Sequence, residues 1–377
     1  MNVLILGGTG AIGAHLVSIL GQSKHQIYVT SRREHESRGN VSYIQGNAFE
    51  ILFLERLFSE RHYGVIVDFM FYATEEFRMR IISFLDNTDQ YFCISSSRVY
   101  ADSRVAITEK SPRLTEVVKD QTYFESNEYS QSKCLLEDIL TSTGRKNWTI
   151  IRPYITYSEN RLQLGVYELK DWFYRIQKGR TIQLAQNIAK AQTTLTYGYD
   201  VAQGIAALVG QKEALGEIFH ITQSETITWG RILEIYVDEI IKKTSVKPNV
   251  IITKKDIYSS IALRDMQVDY DRTLNRKFDN SKIKRFIDTS SFMPPEEGLR
   301  RCIRIWMENP IELYPDWWRQ VLIDRLTGDE ATPDEFDNDK DYQNYCHIRN
   351  DKVLLFRQRC YNLKYFIKKM LKTVIIR

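Results

Sequence analysis

Short runs of consecutive apolar and β-branched residues punctuate the first part of the chain: NVLIL at 2–6, QIYVT at 26–30, VSYIQ at 41–45, GVIVDFMFY at 64–72, QYFCISS at 90–96 and NWTIIRP at 147–153. The runs are apolar at successive rather than alternate positions, as strands covered on both faces should be. Helix-length segments separate them, which implies βαβ crossovers and a parallel sheet. Residues 1–155, with parts of 190–222 contributing, are therefore expected to form a doubly wound α/β domain.

After Pro153 the pattern becomes irregular, with helical stretches near Val166–Lys178, Asp200–Leu208 and Trp229–Lys242. Residues 156–327 are read as a smaller substrate lobe. The run GDEATPDEFDNDKD opens at Gly328 with seven acidic residues and one lysine, so 328–350 is read as a solvated acidic linker. Residues 351–377 turn basic. There Val353, Phe356, Cys360, Leu363, Ile367, Met370 and Val374 recur at steps of three and four, the pattern of an amphipathic helix. Docking of this helix on its own domain or on a second subunit is favoured over peripheral membrane contact.

Composition narrows the class. Of 377 residues, 43% are hydrophobic and 27% charged, with a net charge of only +4, so the chain is expected to fold and nucleic acid is not expected as its main partner. Five widely spaced cysteines and six histidines show neither a disulfide framework nor metal-ligand spacing, and no metal is expected. The first apolar run stops at a glycine after a few residues and no basic n-region precedes it, so a cytoplasmic location is expected.

Gly7-Gly8-Thr9-Gly10-Ala11-Ile12-Gly13 follows the first strand directly. Glycines at 7, 10 and 13 suit a tight turn, close approach of backbone to a pyrophosphate, and close packing of helix on strand. The helix expected from about Ala11 would offer free N–H groups to phosphates. A nucleotide-triphosphate loop is excluded, because Ala14 and His15 stand where Lys and Ser or Thr are needed. The second strand ends in Ser31, Arg32 and Arg33 rather than in the carboxylate that would accept bonds from an adenosine ribose. Guanidinium groups can clasp a 2′-phosphate, which favours NADP over NAD.

Tyr129-Ser130-Gln131-Ser132-Lys133 places tyrosine and lysine four apart, on one helix face. A phenol ionises near ~10, so a nearby ammonium and an oxidised nicotinamide would have to ease proton transfer at neutral pH. Tyr174/Lys178 and Tyr365/Lys369 share the spacing, but only Tyr129 follows a strand ending in Ser95-Ser96-Ser97. Open α/β sheets bind ligands at that end of a strand.

Together GGTGAIG at 7–13, ISSSRVY at 94–100, YSQSK at 129–133, IIRPYITY at 150–157, LTYGYDVAQGIAAL at 195–208 and EEGLRRCIRIWMENP at 296–310 resemble the extended branch of the short-chain dehydrogenase/reductase family. That group comprises nucleotide-sugar epimerases, dehydratases and reductases. The resemblance spans about residues 1–310 and implies a Rossmann domain carrying a smaller C-terminal lobe. It implies that Ser96 bonds the reacting oxygen, that Tyr129 is the acid/base, and that Lys133 binds the nicotinamide ribose. Cofactor contacts are expected from Gly7, Gly10, Ala11, Ile12, Gly13, Ser31, Arg32, Asn47, Ala48, Tyr72, Ser95, Pro153 and Tyr154 as well as from Tyr129 and Lys133. A homodimer built from two helices per subunit is likewise expected by resemblance alone.

Departures from the family pattern bear on the reaction. Ser97 and Arg98 stand where sugar 4,6-dehydratases carry an Asp-Glu pair, which speaks against water elimination. Thr193 stands where many epimerases place a diphosphate-binding arginine, and Arg161 is an alternative phosphate contact. Ser97, Arg98, Arg161 and Thr193 are thus the candidate substrate contacts. The expected activity is that of an NAD(P)-dependent epimerase or ketoreductase acting on a sugar, with a nucleotide-linked sugar favoured. Other readings are an oxidoreductase of a non-sugar ketone and a non-catalytic dinucleotide-binding sensor or partner protein.

Overall fold

The structure, a computed structural model, describes residues 1–351 and Val353, apart from Asn127 and Ala262. Nearly all of the basic segment 351–377 lies outside the described residues.

Seven strands form the central sheet: β1 (Asn2–Leu6), β2 (Gln26–Ser31), β3 (Val41–Gln45), β4 (Tyr63–Asp68), β5 (Thr88–Ile94), β6 (Trp148–Pro153) and β7 (Glu217–Ile221). Their order is β7-β6-β5-β4-β1-β2-β3, and every pairing is parallel. Leu4 of β1 faces Tyr28 of β2 on one side and Ile66 of β4 on the other. Because side chains alternate along a strand, Val3 and Ile5 feed one apolar cluster while Leu4 and Leu6 feed the other. This accounts for the consecutive apolar runs: both faces of the sheet are covered. The chain leaves β1 toward β2 and β3, then returns to the other side with β4, so the switch in strand order falls between β1 and β4. In an open sheet a crevice opens there, at the C-terminal strand ends.

Contacts divide the chain into two compact units that interleave in sequence. One comprises Met1–Leu162, Gln192–Ile227 and Asn275–Ile305; the other comprises Gln163–Ala191, Thr228–Leu274 and the chain from Trp306 onward. The expected division at 155 and 327, with parts of 190–222 joining the first domain, differs from this in that the chain returns to the first unit a second time, at Asn275–Ile305, and 328–350 is part of the second unit. In the second unit the strand Ile182–Ala185 pairs in parallel with Val250–Thr253. Helices Leu169–Gln177, Trp229–Thr244, Trp317–Thr327 and Asp339–Asn350 complete it.

The stretch 328–350, expected to be a solvated linker, is folded. Its Asp329 and Glu335 accept bonds from Arg175 (2.8 Å) and Arg180 (2.5 Å), both buried, and Tyr345 donates to the buried Asp324 (2.7 Å). Trp317 and Phe336 stack at 3.9 Å. The acidic run neutralises arginines about 150 positions earlier in the chain, a pairing that local composition cannot reveal. Among the described residues no helix is long and apolar enough to cross a membrane, and no cluster of His, Cys, Asp and Glu could hold a metal ion.

Candidate active site and cofactor pocket

Gly7 takes a φ of +72°, a conformation that glycine adopts at little cost, and turns the chain at the end of β1. A Cβ on Gly13 would lie 2.8 Å from the backbone of Gly8, so the helix Gly13–Leu20 packs directly on the loop before it. A Cβ on Gly10 would meet nothing within 4 Å. The loop is therefore closed on the protein side at Gly13 and open at Gly10, which is the geometry a bound pyrophosphate requires. The helix begins at Gly13, two residues later than expected, with Ile12 at its N-cap.

A cavity of about 790 Å³ opens over this loop, lined by Gly7, Thr9, Ser31, Arg32, Arg33, His35, Asn47, Ala48, Phe49 and Met70 among others. The lining comes from the ends of β1, β2, β3 and β4, at the switch in strand order. Asn47 has a double role: its side-chain oxygen accepts from the Phe49 N–H at 3.1 Å, and its amide donates to Glu50 at 3.2 Å. Arg32 and Arg33 are exposed at the cavity wall. The residues present fit a dinucleotide in chemistry as well as shape, since the loop offers backbone N–H groups and the wall offers cations.

Beyond the end of β5, Tyr129 opens the helix Tyr129–Ser142 and is 38% exposed, whereas Lys133, one turn on, is buried. The Lys133 ammonium donates to the Ile94 carbonyl at 2.7 Å, which ties the helix to the end of β5. Phe71 stacks on Tyr129 with ring centroids 5.6 Å apart and planes 21° from parallel, and its ring also lies 5.2 Å from the Lys133 ammonium. Arg98 approaches the Tyr129 ring, its guanidinium carbon 5.3 Å from the centroid.

Two polar links set Ser96 against that helix. The Arg98 backbone N–H donates to Ser96 Oγ at 3.2 Å, and the Arg98 side chain pairs with Glu128. Glu128 in turn caps the helix by accepting from Ser130. One turn beyond Lys133, the buried Glu137 accepts from Arg152 of β6 at 2.8 and 2.6 Å and from Ser95 at 2.5 Å. A buried ion pair of this geometry holds its elements in register. The helix, the end of β5 and the end of β6 are thereby fixed together.

Five expected contacts are buried in the fold. Tyr72 is 1% exposed, packed near Phe77 and Phe84 in the core, so it cannot present its ring to a cofactor; its neighbour Phe71 points out instead. Ser97 is fully buried and donates to the Arg152 carbonyl at 2.8 Å, a bond within the framework. Thr193 is likewise buried, which removes it from a substrate-facing surface. Ser95 is committed to Glu137. Tyr154 is buried with its ring 5.1 Å from Phe278, while Pro153 ends β6 and stays partly accessible. Ile155, immediately after, has a φ of +35°, a strained value for a β-branched residue and one often found beside functional sites. Arg161 is exposed.

Sequence reasoning missed Phe71, Glu128, Glu137, Asp68 and Gly198. Asp68, at the end of β4, accepts from Tyr91 Oη (2.8 Å) and the Met70 N–H (2.9 Å), and burial pushes its carboxyl up to about 6 against the smaller opposing effects of those bonds and of Lys133. Gly198 begins the helix Gly198–Leu208, and a Cβ there would sit 2.2 Å from the Ala11 carbonyl oxygen. Only the motif LTYGYDVAQG hinted at that contact.

A parallel doubly wound sheet, a glycine loop with its open face at Gly10, and a tyrosine-lysine pair beside a serine-ended strand define a protein of the Rossmann-like fold. The chain belongs to the NAD dependent epimerase/dehydratase family, whose sequence model matches residues 3–222. It is 26% identical over 244 residues to the chloroplast stem-loop binding protein of 41 kDa b from Arabidopsis thaliana. That alignment covers 60% of this chain and 60% of the relative's length. Among solved structures, UDP-glucuronic acid 4-epimerase from Bacillus cereus, in complex with UDP-glucuronic acid and NAD, superposes with a TM-score of 0.62 at 14% identity. The match covers 82% of this chain and 99% of that one. dTDP-glucose 4,6-dehydratase from Bacillus anthracis, in complex with NAD, gives 0.58 at 18% identity over 82% and 97% of the two chains. At these identities the structural likeness shows the fold.

Proposed function

We propose that the protein is an NAD(P)-dependent epimerase or ketoreductase of a nucleotide-linked sugar, with Tyr129 as acid/base, Lys133 as its partner and Ser96 as donor to the reacting oxygen. The observation that carries this reading is the Tyr129–Lys133 helix face, set against the Ser96 turn by the Arg98–Glu128 pair, at the C-terminal end of β5 in the sheet whose β1 ends in the glycine loop. The nicotinamide ring, when bound, accepts or returns a hydride. Gly7, Gly10, Ala11, Ile12 and Gly13 would hold the pyrophosphate, with Asn47 and Ala48 on the adenosine side and Pro153 on the nicotinamide side. Tyr129 would pass a proton to or from the substrate oxygen while Ser96 Oγ holds that oxygen in place. Arg98, beside the Tyr129 ring, offers a cation to the substrate, and no Asp-Glu pair is present at 97–98 to eliminate water.

Arg32 and Arg33 at the cavity wall support NADP, whereas the two solved enzymes named above were crystallised with NAD. Titration with NADPH and NADH compares the two directly, and Arg32→Ala is expected to weaken NADPH alone. The decisive experiment for the reaction is Tyr129→Phe, expected to remove nearly all turnover on nucleotide sugars while cofactor affinity is kept. Retained turnover would refute the assignment. Mass spectrometry of the gently denatured protein separates the two activities: cofactor that copurifies supports an epimerase, in which hydride is borrowed and returned, and an empty, reversible site supports a reductase. A homodimer and a cytoplasmic location complete the proposal.

A second reading, a dinucleotide-binding protein that acts through a partner, draws on the Arabidopsis relative, whose name describes stem-loop binding. Dinucleotide binding without turnover on any nucleotide sugar, together with retention of a labelled RNA stem-loop, would favour it.

A further inference from the structure

Residues 242–255 read KKTSVKPNVIITKK, with five lysines and no acidic residue. All five lysines are exposed. Lys242 pairs with Glu239 at 2.9 Å, and Asp256, the next acidic residue, is buried and turned to its own helix, where it accepts from the N–H groups of Tyr258 and Ser259. Between the lysines Val246 is 65% exposed, Val250 39%, Ile251 38% and Ile252 49%. A single exposed aliphatic residue is ordinary, but four within seven positions, framed by cations, form a patch that calls for a partner.

The fold holds this segment out. Ser245 closes the helix Trp229–Thr244 with a φ of +59°, which turns the chain sharply. The strand Val250–Thr253 then pairs with Ile182–Ala185, its one partner strand among the described residues. Beside it lies a cavity of about 340 Å³ with Phe173, Ile176, Ile240 and Pro248 in its wall and Lys247 among its lining.

Three consecutive strand residues, Val250, Ile251 and Ile252, are exposed although successive side chains point to opposite faces. A protein partner laid against one face, or an acidic strand added to the open edge, would leave the other face in water. A fluid interface that is apolar inside and anionic at its surface satisfies both faces and the lysines at once. We propose that the Lys242–Lys255 segment is a docking surface for bilayers that carry anionic phospholipids, its aliphatic side chains entering the headgroup region and its lysines meeting the phosphates. This proposal does not depend on the catalytic reading.

The test is sedimentation of the full chain with vesicles of phosphatidylcholine alone and of equimolar phosphatidylcholine and phosphatidylglycerol. Binding is expected only to the anionic vesicles and should fall as salt is raised. Lys254→Ala is expected to weaken it about fivefold. Ile252→Ser should weaken it too, and Lys254→Glu with Lys255→Glu should abolish it, with the melting temperature unchanged because these side chains are exposed. Absence of binding, equal binding to neutral vesicles, or full binding by the double variant would overturn the proposal, the last by placing the membrane contact elsewhere. Vesicle binding that survives these substitutions while an acidic protein is lost from the same surface would overturn it in favour of a protein partner.

Discussion

One carboxyl, buried at the end of β4, is displaced from its ordinary pKa. Asp68 is buried between Tyr91 and the Met70 N–H, and its carboxyl is raised from the ordinary 3.8 to about 6. A raised acid pKa means that the fold binds the proton more tightly than the unfolded chain does. Asp68 therefore contributes stability that is present below about 3.8 and lost as the pH rises through about 6. Buried His220 has its pKa lowered, again by burial, and acts with the opposite sign, so a variant is needed to isolate the carboxyl. The stability of the wild type relative to Asp68→Asn should fall by roughly 2 kcal/mol between pH values of about 4 and 7. Urea unfolding at several pH values measures this, and a flat difference would show that folding leaves the Asp68 pKa unshifted. Arg98 makes a second prediction at this scale. Arg98→Met removes the charge that pairs with Glu128 beside Tyr129, and is expected to shift the pH profile of turnover as well as its rate, while Arg98→Lys restores part of both.

At the residue scale the sequence singled out the candidate trio Ser96, Tyr129 and Lys133, because a motif is a local pattern and each of them sits in one. It could not choose between Phe71 and Tyr72. Those two residues follow the last strand position of β4, and which of them points out of the core depends on the pleat and on what packs beneath it.

Elements are joined by contacts too close or too dry to tolerate a change. Gly13→Ala would drive a Cβ to 2.8 Å from the backbone of Gly8, which cannot move aside as a side chain could. A loss of about 1–3 kcal/mol is expected in chemical denaturation, with cofactor affinity falling at least as steeply. Glu137→Gln leaves the Arg152 guanidinium buried without its counter-charge, at an expected cost of about 3–5 kcal/mol. Because Glu137 binds the serine next to Ser96, turnover should fall in that variant even under conditions where it is fully folded. The strands of the sheet were legible from their two-sided apolar runs. The helix at Asp339–Asn350 was not, because its stretch has the composition of a solvated linker and its partners are distant arginines.

Across the whole molecule, the second unit includes residues well beyond the 3–222 family match. Ending the chain at Gly328 removes Asp329, Glu335 and Tyr345 and strips Arg175 and Arg180 of carboxylates they now hold. The expected outcome is an early unfolding transition followed by that of the sheet unit, observable by calorimetry; an unchanged profile would show that the region is dispensable. By itself the sequence determined the parallel sheet and the glycine loop and singled out the candidate trio, because each is written in neighbouring residues through hydrophobic period, turn chemistry and spacing. Only the tertiary structure decided the interleaving of the two units, the burial of Ser97 and Thr193, the aromatic cover that Phe71 lays on Tyr129 and the acidic partners of the buried arginines. These are contacts between residues far apart in the chain, and desolvation, which selects among them, acts on the folded surface rather than on any local stretch of sequence.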